Sequence, residues 1–215
     1  MLAPAKSSAA NPAPVRVLLA TSNPGKLREY AELVGDSPIV LAPFPNFSEI
    51  AAFEESAPTF AENAAGKALH YSRHTCEIVL ADDSGIVVPA LGGAPGVHSA
   101  RYAGPHATDA DRVQKLLRAM EDKEGPERSA RFVCVTAIAR QGRVLAVVSD
   151  CAEGMLTKEP RGTNGFGYDP IFFFGQLGRT YAETTPDEKN RYSHRGKAFR
   201  KALAVLAPEN SVTFS

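Results

Sequence analysis

Hydrophobic positions along the chain switch between an extended and a helical period, and the switches mark its elements. "VRVLLA" (residues 15–20) is apolar on both faces of an extended chain, which predicts a buried strand. Leu27, Tyr30, Ala31, Leu33 and Val34 then fall at helical spacing. Pro24 suits the first turn of that helix and Gly35 its end. "APFPNFSEI" reads as a Pro-rich connection, and "PTFAENAAGKALHYSRH" as a second helix with Thr59 and Glu62 spaced as a capping box. "EIVLADDSG" predicts a buried strand ending in a carboxylate pair.

Further along, "GIVVPALGGAPGVHSARYAG" is rich in glycine and predicts irregular structure. "TDADRVQKLLRAME" places Val113, Leu116, Leu117 and Met120 on one helical stripe, with Thr108 as the cap. "RFVCVTAIAR" and "RVLAVVSDCAEGML" predict long paired strands around Gln141-Gly142. "GTNGFGYDPIFFF" is a glycine-rich loop entering an aromatic strand, and a last helix starts near His194. Strands and helices alternate, and then a long hairpin follows. This order predicts an α/β fold with a mixed central sheet and flanking helices.

Composition bounds the class. The chain has 215 residues and is 44% hydrophobic, enough for one domain, residues 15–215, with room for two lobes. Residues 1–14, rich in Ala, Pro and Ser, predict a disordered tail. Lys and Arg number 24, as do Asp and Glu, a balance that argues against a large nucleic-acid surface. Cys76, Cys134 and Cys151 form no CxxC pair and read as buried thiols of a reducing compartment. With no long apolar run and no apolar leader, no membrane is expected, and the setting expected is the cytoplasm.

Three constellations carry candidate chemistry. The turn Thr21, Ser22, Asn23, Pro24, Gly25, Lys26 sets small polar groups and a cation at a helix N-terminus, which suits an anion. It lacks Walker A spacing, and a plain capped helix start explains it as well. Asp82 and Asp83 follow an apolar strand, and alternation along a strand sends them to opposite faces. One is expected in a site and the other beneath it. With Glu54 and Glu55, these hard oxygen donors favour Mg2+ over softer metals.

Phe166, between glycines in "GFGYDP", can present its ring faces to a base, with Asp169 as a nearby acceptor. Lys189, Ser193, His194 and Arg195 stand before the last helix. Lysine and arginine donate only, so they match the keto oxygen of a 6-oxo purine and mismatch the amino group of adenine. Core packing for Phe166, and capping and a surface ion pair for His194 and Arg195, stay open on these residues alone.

The motifs together resemble the inosine triphosphate pyrophosphatases, the Ham1-like family. "LATSNPGKLREY", "FEESAPTFAENAAGKA", "ADDSGIVVPALGGAPGVHSARYAG", "GTNGFGYDPIFF" and "SHRGKAF" occur in order over nearly the whole chain. The resemblance implies two lobes around a nucleotide cleft and a homodimer. It also implies Mg2+-dependent hydrolysis of ITP, dITP and XTP to the monophosphate and pyrophosphate. Thr21 to Lys26 would hold the triphosphate. Asp83 would accept a proton and touch the metal, Ser84 would touch substrate, and Glu54 or Glu55 would add a metal ligand. Lys67 would stabilise charge. Phe166, Gly167, Tyr168, Asp169, Lys189, His194 and Arg195 would form the base pocket. A Maf-like pyrophosphatase and a non-catalytic nucleotide-binding module are the alternatives.

Overall fold

The computed structural model describes residues 14–207, Pro38 excepted. The expected tail lies outside these residues but for Pro14, as does the end of the expected domain beyond residue 207. The elements run β1 (Val15–Leu19), α1 (Pro24–Val34), β2 (Ile39–Pro43), α2 (Phe60–Ser72), β3 (Ile78–Val87) and α3 (Asp109–Ala119). They continue with β4 (Ser129–Arg140), β5 (Arg143–Leu156), β6 (Phe172–Phe174), β7 (Arg179–Thr180), α4 (Pro186–Tyr192) and α5 (His194–Leu206). Among the described residues no helix is long and apolar enough to cross a membrane.

The strands form one mixed sheet in the order β2-β1-β3-β4-β5-β6-β7. β1 pairs parallel with β2 and β3, and every later pair is antiparallel. Alternation along β1 divides the core. Leu18 and Ala20 pack with Ala64, Ala68 and Tyr71 of α2. Val17 and Leu19 pack with Tyr30 of α1 and with Phe199 and Ala202 of α5. A third apolar cluster joins Ile86, Val113, Leu116, Phe132, Phe172 and Tyr181. The long strands β3 and β4 run from the first two clusters into the third, and the site forms along that passage.

Several expectations are corrected. β3 does not end at its carboxylates but continues to Val87. What ends there is the pairing with β1, at Leu19 opposite Leu80, while β4 stays paired with β3 past the acids. Ala42 and Pro43 belong to β2 rather than to a connection. Pro43 is tolerated because β2 is an edge strand. α4 went unseen because its seven residues are too few for a periodic stripe. Thr59 caps α2 by accepting the Glu62 N–H, but its hydroxyl takes up the Glu62 carboxylate, so the box is not completed on the backbone. Ala31 is exposed. Only Cys134 is fully buried; Cys76 is exposed in the turn before β3, and Cys151 is half-buried.

Gly85 lets two segments meet closely beside the site. A Cβ on it would meet Ser99 Oγ at 2.3 Å and the Gly96 carbonyl at 2.5 Å. Segment 96–101 therefore lies directly against β3, where Ser99 Oγ accepts the Ile86 N–H at 2.9 Å.

Candidate active site

The first wall of the site is the turn from β1 into α1. Asn23 is the N-cap: its Oδ1 accepts the Lys26 N–H at 3.1 Å, and its own N–H donates to Thr21 Oγ1 at 3.2 Å. The lysine of this turn is not free. Lys26 Nζ lies 3.1 Å from the Asp82 carboxylate and 3.3 Å from the Asp82 carbonyl. The turn is thereby tied down onto β3.

β3 supplies the second wall. Asp82 faces α1 and α5, where Lys26 and Arg195 meet it. Burial opposes its charge, but those two cations outweigh burial and hold its carboxyl well below the usual range. Asp83 faces α2 instead. Its Oδ2 accepts from Asn63 Nδ2 at 3.0 Å, and its Oδ1 accepts the Ser84 N–H at 2.9 Å. Burial and then the nearby Glu55 charge push the Asp83 carboxyl up to about 6.

The loop before α2 brings Glu55 to this point, paired with Lys67 at 2.6 Å. Burial works against the Lys67 charge, but Glu55 and Asp82 outweigh it and raise the pKa. The structure separates the expected acidic pair. Glu55 lines the cleft with Asp83, whereas Glu54 is exposed and does not. Among the described residues no group of three or more His, Cys, Asp or Glu side chains is gathered to hold a metal. Two repelling carboxylates beside an open cleft suit Mg2+, which takes only one or two and completes its shell with water and phosphate oxygens.

The third wall is a buried charge network. Arg195, in the first turn of α5, is 1% exposed. Its guanidinium meets Glu29 and Asp82 and donates to Ser84 Oγ at 2.7 Å. Lys189 of α4 is bound by both Glu29 and Asp169. Burial disfavours the charge of each base, yet Glu29 with Asp82 or Asp169 outweighs it. The surface ion pair left open for Arg195 is excluded. His194 is buried too and stacks on Phe132 with ring centroids 4.6 Å apart. Burial and the Arg195 charge keep its pKa well below the ordinary value, so its imidazole is neutral.

Phe166 stands at the centre of this wall. Its N–H donates to Asp169 Oδ2 at 2.8 Å, and Lys189 Nζ lies 5.0 Å from its ring centroid. The ring does not have two open faces. A Cβ on Gly25 would lie 2.6 Å from it, so α1 packs its backbone against the ring. The lack of a side chain at Gly25 permits this close approach to Phe166.

These walls enclose one cavity of about 290 Å3. Thr21, Ser22, Asn23 and Lys26 line it together with Glu55, Lys67, Asp83 and Ser84. So do Phe166, Gly167, Tyr168, Asp169, Lys189, His194 and Arg195. Of the expected site residues, Pro24, Gly25 and Glu54 do not line it. A family model described as the Ham1 family matches residues 17–205.

The chain belongs to the Ham1 family. The dITP/XTP pyrophosphatase of Escherichia coli (strain K12) is 45% identical over 193 residues, covering 89% of this chain and 98% of that protein. That of Geobacillus kaustophilus (strain HTA426) is 46% identical over 185 residues, covering 86% and 91%. A solved HAM1 protein from Coxiella burnetii superposes with a TM-score of 0.80 at 46% identity, covering 89% of this chain and 98% of that one.

This Ham1-family chain also lines its cleft with residues that sequence patterns did not single out: Ser99, Arg101, Asp109 and Arg112. Arg101 donates to the Glu55 carbonyl at 2.9 Å, and Asp109 accepts the Gly167 N–H at 2.7 Å. Tyr168 donates its hydroxyl to the Ser99 carbonyl at 2.9 Å. Glu29 was missed as well, because a single Glu in a helix carries no sign of burial. For Arg101 the "SARYAG" stretch was a signal, although its irregular pattern gave no direction to the side chain.

Proposed function

We propose that the chain is a nucleoside triphosphate pyrophosphatase that hydrolyses ITP, dITP and XTP to the monophosphate and pyrophosphate, and so clears deaminated purines from the nucleotide pool. The observation that carries this reading is the single cavity shared by the acidic pair Asp83 and Glu55 and by the Phe166 pocket. The names of the E. coli and G. kaustophilus relatives support it.

In this reading the triphosphate lies between the Thr21–Lys26 turn and Lys67, where cations and the α1 N-terminus stabilise its charge. Asp83, on the acidic side of the cleft beside Glu55, accepts the proton of the water that attacks the α-phosphorus. Pyrophosphate departs from the opposite side. Glu55 and Asp83 would hold Mg2+, which when bound neutralises phosphate charge. The base stacks on the remaining face of Phe166. Arg195 has four of its five N–H groups committed to Glu29, Asp82 and Ser84. It fixes the pocket and, like Lys189, whose ammonium is bound by Glu29 and Asp169, keeps one N–H as a donor for a 6-keto oxygen. An adenine amino group would face these donors unpaired.

Action in the cytoplasm as a homodimer belongs to the same proposal. Exposed Val144 and Val147 on β5 offer apolar surface for a second copy. Asp83→Asn tests the chemistry. Turnover of ITP with Mg2+ drops by about 100-fold or more while the protein stays folded; near wild-type turnover removes Asp83 as the base.

A further inference from the structure

α2 carries two polar side chains one helical turn apart, and both reach toward the acidic pair. Lys67 pairs with Glu55 at 2.6 Å. Asn63 is 0% exposed and makes three hydrogen bonds. Its Oδ1 accepts the Ala57 N–H at 3.0 Å. Its Nδ2 donates to the Ala57 carbonyl at 3.3 Å and to Asp83 Oδ2 at 3.0 Å. Ala57 stands two residues beyond Glu55. One amide therefore grips the loop of one carboxylate and the side chain of the other.

The chemistry of the three partners selects a carboxamide. One is a donor and two are acceptors, so turning the amide over would set its oxygen against a carbonyl and a carboxylate. Aspartate would add a second buried anion beside Asp83, which is costly. Serine is too short to span all three. Asn63 does not line the cavity, so it acts from behind the acids rather than on a ligand.

We propose that Asn63 is a positioning residue that fixes the spacing of Glu55 and Asp83 and thereby sets the affinity of the site for a divalent cation. The cation role of the two acids rests on the reading above; the coupling through Asn63 does not depend on which nucleotide is cleaved.

The test uses Mn2+ as the probe, with binding to the nucleotide-free full chain followed by electron paramagnetic resonance. Asn63→Ala weakens Mn2+ binding at least tenfold and raises the Mg2+ concentration for half-maximal activity. The KM for ITP at saturating Mg2+ changes less than threefold. In a Glu55→Gln background the same substitution adds less than threefold, since there is no longer a pair to space. Should Asn63→Ala melt below the assay temperature, Asn63→Ser makes the same comparison. Wild-type Mn2+ affinity in a folded variant, an equal loss in both backgrounds, or no Mn2+ binding to the wild-type chain overturns the proposal. The expected Mn2+ pattern in a protein that leaves ITP intact supports it and overturns the substrate assignment instead.

Discussion

Asp82 and Asp83 are adjacent in the chain and face opposite sides of β3. Lys26 and Arg195 meet Asp82 on one side, and Asn63 meets Asp83 on the other. The consequences for their protons diverge. Asp82 is a fixed anion that braces the turn and α5. Asp83, raised by burial and then by Glu55, titrates near neutrality.

The pH dependence of stability follows from that difference. The folded pKa of Asp83, about 6, lies above its unfolded value of about 3.9. Its contribution to stability is then full below the unfolded value and is lost as pH rises through about 6. The rise is worth at most about 3 kcal/mol. In EDTA, the melting temperature of Asp83→Asn relative to the wild type should rise by several degrees from pH 4 to pH 8, on top of a pH-independent offset from setting an amide NH2 against the Asn63 and Ser84 donors. An equal change in melting temperature at both pH values would count against a raised Asp83 carboxyl. Glu55→Gln should bring the Asp83 titration to lower pH, followed by carboxyl NMR.

Arg195 is a strut of the pocket, and its removal is a stability experiment. Arg195→Met leaves Glu29 and Asp82 with one buried cation fewer. Stripping one partner from such a network costs about 3–5 kcal/mol, because the remaining charge stays buried. Urea denaturation measures this directly. A loss under about 1 kcal/mol would mean that the guanidinium is dispensable to the network.

Gly25 tests the contact that places the Phe166 ring. A methyl group at 2.6 Å from the ring forces either the ring or α1 to shift. Overpacking of this kind costs about 1–3 kcal/mol. Gly25→Ala should raise the KM for ITP more than it lowers kcat, because the stacking surface moves while Asp83 and Glu55 stay in place. A fall in kcat at constant KM would show that Gly25 serves the phosphate end.

Much of this was legible in the sequence because the governing signals are local. The helix start at Pro24, the alternation that splits Asp82 from Asp83, and the Gln141-Gly142 hairpin each follow from a few neighbouring residues. α4 was not legible, since its capping box of Thr185 and Glu188 encloses no apolar stripe. Nor was the burial of Glu29, Lys189 and Arg195. Their charges look solvated when read singly, and only the crossing of α1, α4 and α5 makes them compensate one another. Glu54 and Glu55 were indistinguishable for a similar reason. Glu55 turns inward onto partners far along the chain, Lys67 and Arg101 among them.

The central claim is that one cavity joins α-phosphorus hydrolysis to recognition of a 6-oxo purine. A panel of ITP, dITP, XTP, dATP, dGTP and pyrimidine triphosphates with Mg2+, scored for pyrophosphate, tests it most directly. The account predicts kcat/KM for ITP, dITP and XTP at least about 100-fold above that for dATP, with pyrophosphate as the product. Comparable values for dATP, a preference for pyrimidines, or release of inorganic phosphate alone would contradict it.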